Sequence, residues 1–207
     1  MIKTVFAVLA ITTAVLMLLG NGPVLAATCK YQDNTEDLFA GITIVRTKWD
    51  RISPNWEKAF EKYIGYVSAS TEGEDTFLRV RIRHLEKSRF KPTKDELANA
   101  LVVPEGAELS VVMADKTIVS IPSVGLVEGK SVVHSPYSKT YNSDDYVVVT
   151  NADVKYKVDV AAAEALVAQE AKMMQMVTST RQLEVPMHKN SLDGIKKAIS
   201  CLSSAPE

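Results

Sequence analysis

Cysteine is almost missing from this chain: Cys29 and Cys201 are the only two in 207 residues. Neither belongs to a C-x-x-C pair or has a histidine beside it, so the usual zinc and thiol-redox signatures are excluded. Histidine is nearly as scarce. His84, His134 and His188 are too far apart in sequence for two of them to share one element at metal-ligand spacing. There is no H-E-x-x-H, G-x-S-x-G or P-loop pattern. An excess of one charge is also lacking, with 24 Lys and Arg against 25 Asp and Glu. A balanced chain has no global field to gather nucleic acid or anionic lipid, so no nucleic-acid partner is expected. No internal repeat and no Pro- or Gly-rich linker divides the sequence.

One long apolar run is present, over residues 5–19. Lys3 precedes it as a short positive region, Gly22 and Pro23 would break a helix after it, and Val24-Leu25-Ala26 offers small residues for a signal peptidase. The run is shorter than the ~20 residues of a comfortable membrane span. Residues 1–26 are therefore expected to be a cleaved signal peptide, with cleavage after Ala26, or after Ala27 as the second choice. Residues 27–207 are expected to form one globular domain, exported to the periplasm or secreted, with no transmembrane segment. Roughly 180 residues suffice for one well-covered core. One of the 24 basic residues lies in the signal, so the mature chain would carry 23 bases against 25 acids.

Export changes how the cysteines read. In an oxidising compartment an even count favours a disulfide, and a single intramolecular pairing is possible, Cys29 with Cys201. Two other readings stand beside it: an intermolecular bridge, and a lipid-modified Cys29. The second needs Gly or Ala just before the cysteine, and Thr28 stands there.

Short strands dominate the pattern. Ile42 to Val45 reads as a strand. Ser53-Pro54 is suited to open a brief helix carrying Trp56 and Phe60, while Tyr63 to Ala69 fits helix or strand. Phe77 to Leu85 alternates with period 2 after a Gly-containing turn. Thr93 and Glu96 form a capping box for a helix to Ala100. Leu109 to Met113 and Thr117 to Ile121 make a hairpin around Asp115, followed by a loop over residues 122–142. Tyr146 to Thr150 and Val154 to Val158 read as two strands. Asp159 caps an Ala-rich helix with Val160, Ala163, Leu166 and Val167 on one stripe. Met173 to Val185 is extended, and Ser191 caps a last helix with Leu192, Ile195, Ile199 and Leu202 facing inward. Hairpin signals outnumber helical crossovers, so the expected class is α+β, a predominantly antiparallel sheet with two or three short helices.

Together, Cys29, Asp37, Phe39, Gly41, Thr47, Trp49, the hairpin around Asp115, Tyr156 to Asp159, Leu166 and Ile199-Ser200-Cys201 resemble a loose class of exported bacterial proteins of unknown function. Ser191-Leu192-Asp193-Gly194 also resembles the C-terminal stretch of periplasmic invasion-associated proteins, with Ile195 where those have an aromatic residue. Both resemblances imply a topology, and neither implies a catalytic residue.

Chemistry has few places to sit. Arg79, Arg81 and Arg83 share one strand face at about 6.5–7 Å intervals. Guanidinium groups grip carboxylate and phosphate in bidentate fashion, so this row is the candidate site for an anionic glycan, a lipid headgroup or an acidic partner. The ordinary alternative is a solvated strand face that discourages edge aggregation. Met174 and Met176 share a strand face, and thioethers suit Cu(I), but Met also fills irregular cores, which the sequence favours. The three histidines read as unrelated surface or half-buried rings. No cofactor is expected. The functional expectation is an exported, non-enzymatic binding or envelope-associated domain, its partner an unknown envelope component or acidic ligand. A secreted hydrolase with a dispersed site and an accessory subunit of a secretion or surface apparatus are the alternatives.

Overall fold

A computed structural model describes residues 29–37, 41–54, 62–98 and 100–202. The signal-peptide reading of residues 1–26, the helix after Pro54 with Trp56 and Phe60, and the landmark Phe39 lie outside the described residues. In chain order the elements are β1 (Tyr31–Asp37), β2 (Ile42–Thr47), β3 (Asp50–Arg51), β4 (Tyr63–Glu72), β5 (Asp75–Ser88), α1 (Lys94–Ala98), β6 (Val102–Val103), β7 (Glu108–Met113) and β8 (Ile118–Pro122). Then come β9 (Val127–Glu128), β10 (Lys130–His134), β11 (Tyr146–Val158), α2 (Val160–Ala168), β12 (Ala171–Val177), β13 (Gln182–Pro186) and α3 (Gly194–Leu202).

The class is closer to all-β than to the expected α+β: 52% of the described residues are strand and 14% helical, around a curled antiparallel half-barrel. The helices are five, nine and nine residues long. None is a crossover between parallel strands, because every pairing among the described residues is antiparallel. Sheet one runs β1-β2-β4-β5-β11-β10 with β3 also on β4; sheet two runs β13-β12-β7-β8; β6 and β9 form a small ribbon. Two features hide this strand content in the sequence. Polar Asn151 and Asp153 look like a break, yet they point outward from a continuous 13-residue β11 and oppose Arg83 and Arg81. The expected loop over residues 122–142 contains β10, whose Val132 and His134 oppose Val149 and Val147.

Period 2 decides which faces are buried. Leu78, Val80 and Ile82 of β5 point to one side and are fully covered, together with Val67, Val154 and Tyr156 of neighbouring strands. Sheet two, with Val111, Met174 and Met176 turned inward, closes this core, and Leu166 and Ile195 of α2 and α3 complete it. Tyr156 is 0% exposed, and its hydroxyl finds no hydrogen-bond partner among the described residues. Burial pushes its pKa up. A buried unpaired hydroxyl costs free energy that an isosteric ring does not. Tyr156→Phe is expected to raise stability by about 1 kcal/mol, read as a higher urea midpoint at unchanged slope. A lower midpoint would contradict this account.

Local chemistry sets the helix ends. The Thr93 amide donates to Glu96 Oε2 at 2.7 Å and the Glu96 amide to Thr93 Oγ1 at 3.3 Å, a closed capping box. Asp159 Oδ1 accepts the Ala162 amide at 2.7 Å and starts α2. The last helix departs from expectation. It begins at Gly194 rather than directly after Ser191, whose carbonyl accepts the Gly194 amide at 3.0 Å.

The β7–β8 turn carries the clearest ionisation signature. Asp115 accepts the Thr117 hydroxyl at 2.6 Å and its amide at 2.9 Å, and the Gln169 side-chain amide at 2.6 Å. These bonds, that of the Thr117 hydroxyl foremost and then that of Gln169, lower the Asp115 carboxyl to about 2. A carboxyl lower in the folded than in the unfolded chain stabilises above its unfolded value and loses that contribution as pH falls toward the folded one. A carbon-detected NMR titration is expected to place Asp115 near 2, and Thr117→Val to move it up toward the ordinary aspartate value. A Thr117→Val titration identical to wild type would refute this assignment.

Candidate functional site

The two cysteines lie at opposite ends of the described chain and meet. Cys29 and Cys201 form a disulfide with Cα atoms 5.5 Å apart across 172 positions. Cys29 precedes β1 and Cys201 is in the last turn of α3, so the bridge ties an edge strand of sheet one to the terminal helix. The Tyr31 hydroxyl adds a second tie, donating to the Cys201 carbonyl at 2.8 Å. A cleft of about 280 Å³ opens beside the bridge between Lys30, Lys48 and Lys197. No helix among the described residues is long and apolar enough to cross a membrane.

The arginine row lies on the outer face of sheet one, and the strand register shows what surrounds it. Ser68, Arg79 and Lys155 stand in line across β4, β5 and β11, and Tyr66, Arg81 and Asp153 form the next line. Arg46, Ser70, Phe77 and Lys157 form the line on the other side. The three arginines therefore have different surroundings. Arg81 is bound in bidentate fashion by Asp153, at 2.6 and 2.7 Å, with Trp49 4.4 Å from its carbon. The bond to Asp153 chiefly raises its pKa. Arg83 donates to the Tyr141 hydroxyl at 2.8 Å. Arg79 packs on Trp49 at 5.0 Å and has no carboxylate within ion-pair distance among the described residues.

Arg79 is also the arginine whose charge is hardest to hold. Burial, and after it the neighbouring Arg46, press its pKa below the ordinary arginine value. Arg46 reaches Asp33 at 3.5 Å and Glu72 at 3.9 Å through its terminal nitrogens, but its Nε is buried without a partner among the described residues. Ser70, opposite Arg46 in the register and 0% exposed, likewise has a hydroxyl without a partner among them. Glu72 is occupied by Lys155 at 2.5 Å, and Lys155 covers the Phe77 ring at 4.1 Å. Arg79 thus presents a guanidinium stacked on the Trp49 indole, beside the Arg46–Ser70 line of the register. A guanidinium so placed suits a carboxylate, sulfate or phosphate group.

Sequence reasoning finds the row and misses its environment. Trp49, Arg46, Ser70 and Tyr141 come from other strands and a loop, and only their register places them here. The remaining candidates lie apart. Met174 and Met176 are each 1% exposed within the core. His84 is buried and stacks on Tyr63 at 4.5 Å on the inner side of sheet one. His134, expected in a loop, is in β10 on the outer side, 4.9 Å from the Tyr141 ring. His188 Nδ1 accepts the Asn190 amide at 3.3 Å. Among the described residues, no three His, Cys, Asp or Glu side chains converge in metal-ligating geometry.

No family model, curated protein or solved structure matches the chain. The functional reading rests on the residues themselves.

Proposed function

We propose that this protein is an exported, non-enzymatic binding domain that takes an anionic ligand on the outer face of sheet one, with Arg79 as the anchor. The carrying observation is Arg79 itself, half-buried on the Trp49 ring and with no carboxylate within ion-pair distance among the described residues. On a merely solvated face a guanidinium would stand in water; Arg79 instead lies half-buried on the Trp49 ring. Arg81 and Arg83 serve the site as framework, because Asp153 and Tyr141 already hold them. The Cys29–Cys201 disulfide supports export to the periplasm or beyond, where such a bridge persists.

Trp49 gives the test its reporter. In a Trp56→Phe background, titrating an acidic glutamate-rich peptide or a sulfated oligosaccharide is expected to change Trp49 emission saturably. Arg79→Ala is expected to weaken binding by about tenfold or more, the scale of a lost charged hydrogen bond. Arg79→Lys is expected to fall between, since Lys lacks the planar fork. An Arg79→Ala titration that overlays wild type would sink the proposal.

One observation favours a second reading, an accessory subunit of a secretion or surface apparatus. Val124, Leu126, Val132 and Tyr137 lie 45–78% exposed within residues 122–142. A contiguous exposed apolar patch of several hundred Å² marks a protein contact, and these four residues are the groups from which this stretch would build one. Leu126→Asp is expected to release any envelope partner recovered with wild type, whereas Arg79→Ala would not.

A further inference from the structure

Helix α2 has more apolar surface than the core takes up. Its sequence, Val160 to Ala168, has Glu164 as its one charged residue, yet only Leu166 is buried. A helix that is apolar nearly all round is normally enclosed; this one leaves Val160 77% exposed. Val160, Ala163 and Val167, at i, i+3 and i+7, line a cleft of about 700 Å³, with Ala163 and Val167 half-buried against the core and Val160 exposed. Val158 at the end of β11 and Ile199 of α3 contribute further apolar lining. The volume falls in the range of about 300–1,000 Å³ that binding sites occupy.

The rim is predominantly acidic. Glu74 and Asp75 at the β4–β5 turn, Asp159 at the start of α2 and Glu164 on its flank all line the cleft. The single cation there, Lys157, is held by Asp75 at 2.8 Å. Glu74 and Glu164 have no ion-pair partner among the described residues. An acidic occupant would be repelled by this rim, and a purely apolar one would strip water from carboxylates without replacing it. An amphipathic segment with basic residues beside its apolar ones satisfies both the floor and the rim, in the helix-in-groove manner. We propose that the cleft between α2, α3 and the β4–β5 turn is a docking groove for a basic amphipathic peptide segment. It is distinct from the Arg79 site, which selects the opposite charge.

The test uses the oxidised protein and a fluorescein-labelled 12-residue peptide of leucine and lysine in helical amphipathic order, with a leucine–glutamate peptide as its counterpart. The basic peptide is expected to bind saturably and more weakly as salt rises, and to shift the amide signals of Val160, Ala163, Val167 and Ile199. Glu74→Lys combined with Glu164→Lys, both surface changes, is expected to weaken it about tenfold, while Arg79→Ala leaves it unchanged. Equal binding of the acidic peptide, undiminished binding by the double variant, or shifts confined to other surfaces would each overturn the proposal.

Discussion

Replacing Cys29 and Cys201 together by serine is expected to cost about 5 kcal/mol, from the entropy of a closed loop of this size. The bridge spans 172 positions, so in the unfolded chain it holds together ends that would otherwise sample a very large volume. Single domains are stable by only about 5–15 kcal/mol, so this one bond carries a large share of the total. The loss should also be unevenly felt. Strand β1 is an edge strand paired on one side by β2, and of its residues only Tyr31, Asp33 and Asp37 are even partly buried. Without the bridge, the Tyr31–Cys201 hydrogen bond is left as the tie to α3 described above. Urea unfolding of the double serine variant, and of wild type with and without reductant, measures the effect. Hydrogen exchange should show β1 and the last turn of α3 opening first. A loss below about 1 kcal/mol would mean that the reduced chain already holds its ends together, against the chain-entropy account.

The expected disulfide depends on a compartment and an even count, which a sequence displays, and the structure forms it. Hairpins were legible for a similar reason. Period-2 alternation in Phe77 to Leu85 and the Asp115 turn are local signals, and both strand pairs form. Caps were legible where side chain and backbone lie three residues apart, as at Thr93 and Asp159. What the sequence did not display is register between distant strands. Arg81 and Asp153 are 72 positions apart, and nothing in either neighbourhood announces their bidentate pair. The same holds for Trp49 over Arg79 and for Ser70 opposite Arg46. The class was misjudged because helix signals are strong per residue, while the short strands β6, β9 and β10 and the polar middle of β11 carry little signal of their own. Val160 illustrates a further limit. Its place in an apolar stripe with Leu166 was visible, but not that Leu166 enters the core while Val160 stays exposed.

The joint between the two sheets yields the second large effect. Gly65 of β4 lies where β13 crosses, and a Cβ built there would stand 2.6 Å from Val185 Cγ1 and 3.4 Å from Ile52 Cδ1. Both neighbours are 0% exposed. Ile52 is itself fixed by backbone bonds on two sides, donating to the Gly65 carbonyl at 3.0 Å and accepting the His188 amide at 2.6 Å. It also presses on Gly194, where a Cβ would meet Ile52 Cγ2 at 2.9 Å. Two glycines thus make room for one isoleucine, and β4, β13 and the start of α3 close around it. Val185 is β-branched and stiff at χ1, so it has no ready rotamer by which to turn away. Gly65→Val is therefore expected to fall at the upper end of the overpacking range, about 3 kcal/mol, by forcing β13 off β4. Gly65→Ala tests the geometry with one atom. It would be neutral or stabilising in open strand, where replacing glycine removes unfolded-state entropy, and destabilising here. A stable Gly65→Ala protein would show that β13 yields and that Ile52 does not set the spacing of the two sheets.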